Sequence, residues 1–194
     1  MNSKNPDLSN APRNFDLISG LWGLYFGLIG VRYVNAAVIP TMGAAIIAAN
    51  HLTTIDPFGV GQPTKRRVHF MAKKELFETP WSRWYMASGN AFPVERGKMD
   101  LTAIKTALRI LQGGQLLVIF PQGTRGGMDA KSGASFLALK AKVPVIPVGI
   151  SLKRNWFGGK SFTFRYGAPI LPTGSLEQHT ALISSAIESL QENA

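Results

Sequence analysis

The sequence predicts an α/β protein, with a mixed, largely parallel sheet flanked by helices and preceded by an N-terminal helical membrane anchor. Three observations predict it. Short apolar runs at 44–49, 68–72, 115–120 and 143–150 suit buried strands. Segments of helical spacing stand between and after them. A stretch of 15 residues without a charge, 17–31, comes before them all.

A chain of 194 residues with 45% hydrophobic content is most simply one folded domain. It contains no cysteine, which excludes disulfides, thiolate metal sites and a cysteine nucleophile. The net charge of +10 is concentrated between Lys65 and Lys160, where 17 Lys/Arg face 5 Asp/Glu. A basic central half predicts anionic partners, namely phospholipid headgroups, a phosphorylated substrate, an acidic carrier protein or nucleic acid. A merely solvated basic surface is the bland alternative.

Residues 1–14 are polar, with Pro6 and Pro12, and read as a flexible tail. A helix follows over about 15–35. Its charge-free part is short for a span, which needs about 20 apolar residues. Trp22, Tyr25, Phe26 and Tyr33 suit a helix lying in the membrane interface. A core helix, a signal peptide or a true span are the alternatives; Asp16 and Arg32 at its ends argue against cleavage. The remainder, 36–194, is read as one catalytic domain. Within it, 100–111 has helical spacing through Leu101, Ile104, Leu108 and Leu111, and Gly113-Gly114 stops the helix. A small-residue helix is expected at 133–141, an alternating strand at 161–166 and an amphipathic helix at 175–190. Pro144 and Pro147 place the 143–150 strand at an edge, in a bulge or beside a ligand.

Two polar motifs close apolar runs. Asn50-His51-Leu52-Thr53-Thr54-Ile55-Asp56 offers an imidazole that accepts a proton at neutral pH and a carboxylate to fix its tautomer. A spacing of five is not a same-face helix spacing, so the pair needs a turn. His51 then sits at a strand end, with Asp56 capping a short helix that begins at Pro57. Taken alone, the pattern favours an ordinary loop histidine and a plain cap. Phe120-Pro121-Gln122-Gly123-Thr124-Arg125 offers a turn whose N–H groups and Arg fork suit an anion, or equally a β-turn with a solvated Arg. A third piece, Gly89-Asn90-Ala91-Phe92-Pro93-Val94-Glu95-Arg96, again ends in Arg.

Together, Asn50-His51-x4-Asp56, Gly89…Phe92-Pro93-Val94-x-Arg96, Phe120-Pro121-x-Gly123-Thr124-Arg125 and Val143-Pro144-Val145-Ile146-Pro147-Val148 resemble the four ordered blocks of the glycerolipid acyltransferase family, and more closely its 1-acyl-sn-glycerol-3-phosphate (lysophosphatidic acid) acyltransferases. The blocks cover half of the chain. The resemblance implies a membrane-associated enzyme that moves a fatty acyl group from acyl-CoA or acyl-carrier protein to the sn-2 hydroxyl of lysophosphatidic acid. It implies His51 as base and Asp56 as its support. Asn50, Arg96, Gln122, Gly123, Thr124 and Arg125 would bind the acceptor, and Pro147 would lie on the acyl-donor side. It implies no metal and no cofactor beyond the acyl co-substrate. Its expected partners are an anionic phospholipid membrane and an acidic carrier protein, not nucleic acid, and its expected place is the cytoplasmic face of the inner or plasma membrane. Two positions depart from the family pattern, Gln122 for Glu and Gly126 for Ser. Gln keeps length and an acceptor oxygen but loses a charge, so function is expected to persist.

Other signals fail. Residues 127–132 lack the Gly before Lys of a phosphate loop, and no Gly-x-Ser-x-Gly is present. His51, His69 and His179 form no metal-ligand spacing. Trp81-Ser82-Arg83-Trp84-Tyr85 is read as packing, ahead of base stacking or a membrane interface. The rivals left standing are the same chemistry on glycerol-3-phosphate or another lyso-lipid, a non-catalytic lipid-binding homologue, and, on charge alone, a nucleic-acid binder.

Overall fold

A computed structural model describes residues 15–95, 100–121, 130–154 and 160–192. Seven strands form one sheet: β1 (Arg32–Val34), β2 (Ala45–Ala49), β3 (Val68–Lys73), β4 (Ala91–Val94), β5 (Leu116–Ile119), β6 (Val145–Arg154) and β7 (Lys160–Tyr166). Their order is β1-β7-β6-β2-β5-β3-β4, and every neighbouring pair is parallel except β6 with β7. This is the mixed, largely parallel α/β sheet expected from the alternating pattern.

The helices are α1 (Phe15–Leu28), α2 (Asp56–Gly61), α3 (Pro80–Ser88), α4 (Leu101–Gln112), α5 (Ala130–Ala141) and α6 (Leu176–Glu192). Both faces of the sheet are covered, so its central strands are apolar at every position. Along β2, Ala45, Ile47 and Ala49 join one core with residues around α1, α2 and α3, such as Ile29, Phe58 and Met86. Ile46 and Ala48 join the other, with residues of α4, α5 and α6 such as Ile110, Leu137 and Ile183.

Two local expectations are corrected. The N-terminal helix does not run to 35. It ends at Leu28 because Gly30 takes φ +67, where Gly30 N–H donates to Gly27 O and Val31 N–H to Phe26 O, a Schellman closure. Arg32–Val34 is then a strand paired with β7. No described helix is long and apolar enough to cross a membrane. The proline-bearing strand β6 is not at an edge, since it lies between β2 and β7. Pro147 is tolerated because its nitrogen faces residues 167–170 instead of β2. On that side Val145 exchanges bonds with Ile170, and Pro147 O accepts from Gly167 N–H. Helix α4 follows its expected spacing: Asp100 caps it, accepting from Thr102 and Ala103 N–H, and Ile104, Leu108 and Leu111 pack on the core beside Ala103, Ala107 and Ile110, while Leu101 is exposed. The small alanines let the helix lie close to the sheet.

Pro93 sits in β4, an edge strand that need not donate on its outer side. Strands β2, β3, β4 and β5 run the same way, so the segments after Ala49, Lys73, Val94 and Ile119 all emerge at one end of the sheet. In open α/β sheets that end is where ligands bind.

Candidate active site

The segment after β2 carries His51 and Asp56. Asn50 ends the strand fully buried, its Nδ2 donating to Ile150 O at 2.9 Å and its Oδ1 accepting from Ile150 N–H at 2.6 Å. The side chain thus extends the β2–β6 pairing by one step and pins the backbone from which His51 leaves. Asn50, expected among the acceptor-binding residues, commits its carbonyl oxygen and an N–H to that strand contact.

The chain then turns tightly, with Asp56 N–H donating to Thr53 O. Asp56 opens α2 just ahead of Pro57, as expected. Its carboxylate does not cap that helix, however. It reaches back and is fully buried. Oδ2 accepts from Leu52 N–H at 2.6 Å and Thr53 N–H at 2.7 Å, and lies 2.9 Å from His51 Nδ1. Oδ1 accepts from Thr53 Oγ1 at 2.6 Å. Burial pushes the Asp56 carboxyl up, but the bonds from His51, from the Thr53 hydroxyl and from the two backbone N–H groups outweigh it, so its pKa is lowered. The carboxylate is therefore ionised at neutral pH. With Nδ1 committed to Asp56, Nε2 is the ring atom left to exchange a proton.

His51 is 37% exposed on its side chain, so it faces the outside of the sheet end while its partner does not. Its ring stacks on Phe120, with centroids 4.5 Å apart and planes at 27°. His51 of the first motif and Phe120, which opens the second, are thus brought together across the adjacent strands β2 and β5. Thr53 and Phe120 were not singled out among the expected site residues. The signals available were a hydroxyl two positions after the histidine and an aromatic ring at a strand end.

Arg96, Gln122, Gly123, Thr124 and Arg125 lie outside the described residues. Pro147 is buried in β6, level with Ala48 of β2. The three histidines are not brought together. His69 is buried in β3 and His179 in α6. Among the described residues, no group of three His, Asp or Glu is placed to hold a metal ion.

A cavity of about 400 Å³ opens between α1, α2 and the bottom of β3. Trp22, Phe58, Val68 and Phe70 wall it, and Gln62 and Lys65 also border it. Trp22 stacks on Phe58 at 4.6 Å, and Gln62 Nε2 donates to Ser19 O, so α1 is held against α2.

Residues 30–151 match the family model described as Acyltransferase. The 1-acyl-sn-glycerol-3-phosphate acyltransferase of Bacillus subtilis (strain 168) is 35% identical over 121 residues, 61% of this chain and 61% of that protein. The protein of the same name from Streptococcus pneumoniae is 37% identical over 120 residues, 60% of this chain and 46% of that protein. The matches thus span less than two thirds of the length of these relatives. The crystal structure of the 1-acyl-sn-glycerophosphate (LPA) acyltransferase PlsC from Thermotoga maritima superposes with a TM-score of 0.75 at 22% identity, covering 92% of this chain and 78% of that one, a likeness of fold. With the family model spanning more than half of its length, this chain belongs to the acyltransferase family.

Proposed function

We propose that this protein transfers a fatty acyl group from acyl-CoA or acyl-carrier protein to the sn-2 hydroxyl of lysophosphatidic acid, giving phosphatidic acid. The observation that carries the reading is the 2.9 Å contact between His51 Nδ1 and the buried Asp56 carboxylate, at the ligand-binding end of the sheet. The names and identities of the relatives support the choice of acceptor.

His51 Nε2 takes the proton of the acceptor hydroxyl as its oxygen attacks the thioester carbonyl carbon. The C–S bond breaks, and the leaving thiolate takes the proton from the imidazolium, so the products are ester and free thiol. Asp56 holds the tautomer and stabilises the imidazolium between the two transfers. Asn50 acts by pinning the strand end. Arg96, Gly123, Thr124 and Arg125 would hold the acceptor phosphate, and Gln122 would bond the turn. The cavity beside α2 offers apolar walls in Trp22, Phe58, Val68 and Phe70 for an acyl chain, with Asp16, Gln62, Lys65 and Arg66 as polar lining. Pro147, in β6, is assigned to the acyl-donor side.

The enzyme would work on an anionic membrane at the cytoplasmic face, where the thioester donors are. Leu17, Leu21, Leu24 and Leu28 of α1 are exposed, which supports that helix as a membrane-lying element; residues 1–14 would be its tail and the rest the catalytic domain.

The test is free-thiol release from a long-chain acyl-CoA with lysophosphatidic acid as acceptor, comparing wild type with His51→Ala. Acceptor-dependent release reduced by about 10²–10⁴-fold in the variant is expected. Silence with this acceptor and with an acyl-carrier donor would overturn the reading, and preference for glycerol-3-phosphate in competition would move it to that acceptor. A Gln122→Glu variant is expected to change activity little.

A further inference from the structure

The aromatic segment around α3 does not pack inward. Trp81 is 69% exposed and Trp84 48%, and Leu76, in the 3-10 turn Lys74–Phe77 just before, is 45% exposed. Trp81 and Trp84 are one helical turn apart, so they share a side of α3. That side is rigid: Trp81 stacks on Tyr85 at 5.6 Å with near-parallel planes, and Thr79 caps the helix through Ser82 N–H.

Its placement links it to α1. Tyr85 meets Phe58 of α2 at 5.9 Å, and Phe58 meets Trp22 of α1 at 4.6 Å. Helices α1, α2 and α3 therefore form one layer on one face of the sheet, with exposed leucines on α1 and exposed tryptophans on α3. Exposed indoles and exposed leucines are a costly surface in water, and large apolar side chains left outside the core on one helical layer point to an interaction site.

The charges around it select the occupant. From Lys65 to Arg83 the chain carries six Lys/Arg against two Glu, and Lys65, Lys73, Lys74 and Arg83 are exposed. Tryptophan at the level of lipid headgroups, flanked by basic side chains, matches the chemistry of an anionic bilayer surface.

We propose that the outer face of α3, through the exposed Trp81 and Trp84, in a segment that also exposes Lys73, Lys74 and Arg83, is a second membrane-docking contact, so that the protein sits on an anionic bilayer by α1 and α3 together. Two contacts on one rigid layer fix tilt as well as depth, and linking them raises avidity beyond either alone. This inference rests on the membrane-associated reading above but not on its chemistry.

The experiment is co-sedimentation of the full chain with vesicles of phosphatidylglycerol and phosphatidylcholine, and with phosphatidylcholine alone. The Trp81→Ala/Trp84→Ala double variant, both positions being exposed, should keep its thermal unfolding midpoint and lose about tenfold or more in partitioning. Met42→Ser, an equally exposed apolar residue outside the patch, should change nothing. Binding should fall with salt and on neutral vesicles. A second readout does not depend on loss of binding. In a Trp22→Phe/Trp156→Phe background, brominated phospholipid should quench the fluorescence of Trp81 and Trp84. Equal binding by the double variant, or no quenching, overturns the inference while leaving the membrane reading in place. A double variant that changes oligomeric state but not vesicle binding also overturns it and identifies a second copy as the occupant. Wild type that ignores anionic vesicles overturns both readings. Thiol release from substrates in detergent micelles still tests the chemistry separately.

Discussion

The His51 imidazole lies against the Phe120 ring, with centroids 4.5 Å apart, so a strand end 69 residues away in sequence forms one wall of the proposed base. Asp56 fixes one edge of the imidazole and Phe120 one face. Between them they leave little freedom in the direction of Nε2. Phe120→Ala is expected to lower kcat by about ten- to a hundredfold with a smaller change in KM, since a misdirected base loses rate more than binding. Steady-state thiol release measures both parameters. A fall in kcat/KM carried by KM alone would instead make Phe120 a substrate contact.

Thr53 donates to the Asp56 oxygen remote from the shared Oδ2. Thr53→Val keeps the shape and removes that bond. More negative charge then rests on the oxygen facing His51, and the imidazolium is held more strongly. The acid limb of the kcat/KM–pH profile should move to higher pH, whereas kcat should fall by up to about tenfold because the carboxylate that orients His51 loses one of its fixing bonds. Thr53→Ser should restore both. An unshifted profile in Thr53→Val would limit the hydroxyl to shaping the turn.

Asn50 is the buried tie between β2 and β6. Asn50→Ala leaves the Ile150 N–H and C=O without their partners, at a cost of about 1–3 kcal/mol in stability, read from urea unfolding. Activity should fall along with it, because the tie sits next to His51. Asn50→Asp keeps the acceptor for Ile150 N–H but not the donor to its carbonyl, so it should be intermediate in stability if strand pinning is the role.

His69 gives a pH dependence of stability that the site does not. It is buried in β3, and burial first, then the nearby Arg67, push its pKa down to about 4, against a weaker upward pull from the Asn90 backbone bond. Between pH 4 and 6.5 the unfolded chain holds a proton that the folded one lacks. Its stabilising contribution is complete above pH 6.5 and declines as pH falls towards 4. The loss should reach about 3 kcal/mol at most. His179, also shifted down by burial, acts with the same sign. His69→Phe should flatten part of that slope in urea midpoints measured from pH 7 to 4, and an unchanged slope would assign it to other groups.

The order of strands and helices was legible in the sequence where one physical signal dominated. The apolar runs at β2, β3, β5 and β6 needed no context, since strands covered on both faces are mostly apolar, with β2 and β5 wholly so. Asp100 with Gly113-Gly114 bracketed α4, because caps are local chemistry. The ends of α1 and the position of β6 were not legible. Whether Gly30 closes a helix depends on the strand that follows it, and whether Pro147 is tolerated depends on which neighbour its nitrogen faces. Likewise, helical periodicity marked the packed stripe of α4 through Ile104, Leu108 and Leu111, but not that Leu101 in its first turn stays exposed.

Of the proposed site, the sequence by itself determined the residue types and their order: a histidine and an aspartate five positions apart, then an aromatic ring at a strand end before an Arg-bearing turn. Only the tertiary structure decided that Asp56 turns away from its helix to the histidine, that Asn50 serves a strand and that Phe120 touches His51. It also decided that Trp81 and Trp84 face outward. The physical reason is the same in each case: chain order carries local bonding preferences, whereas burial, stacking and exposure depend on which parallel strand lies next to which, and that is set by packing of the whole sheet.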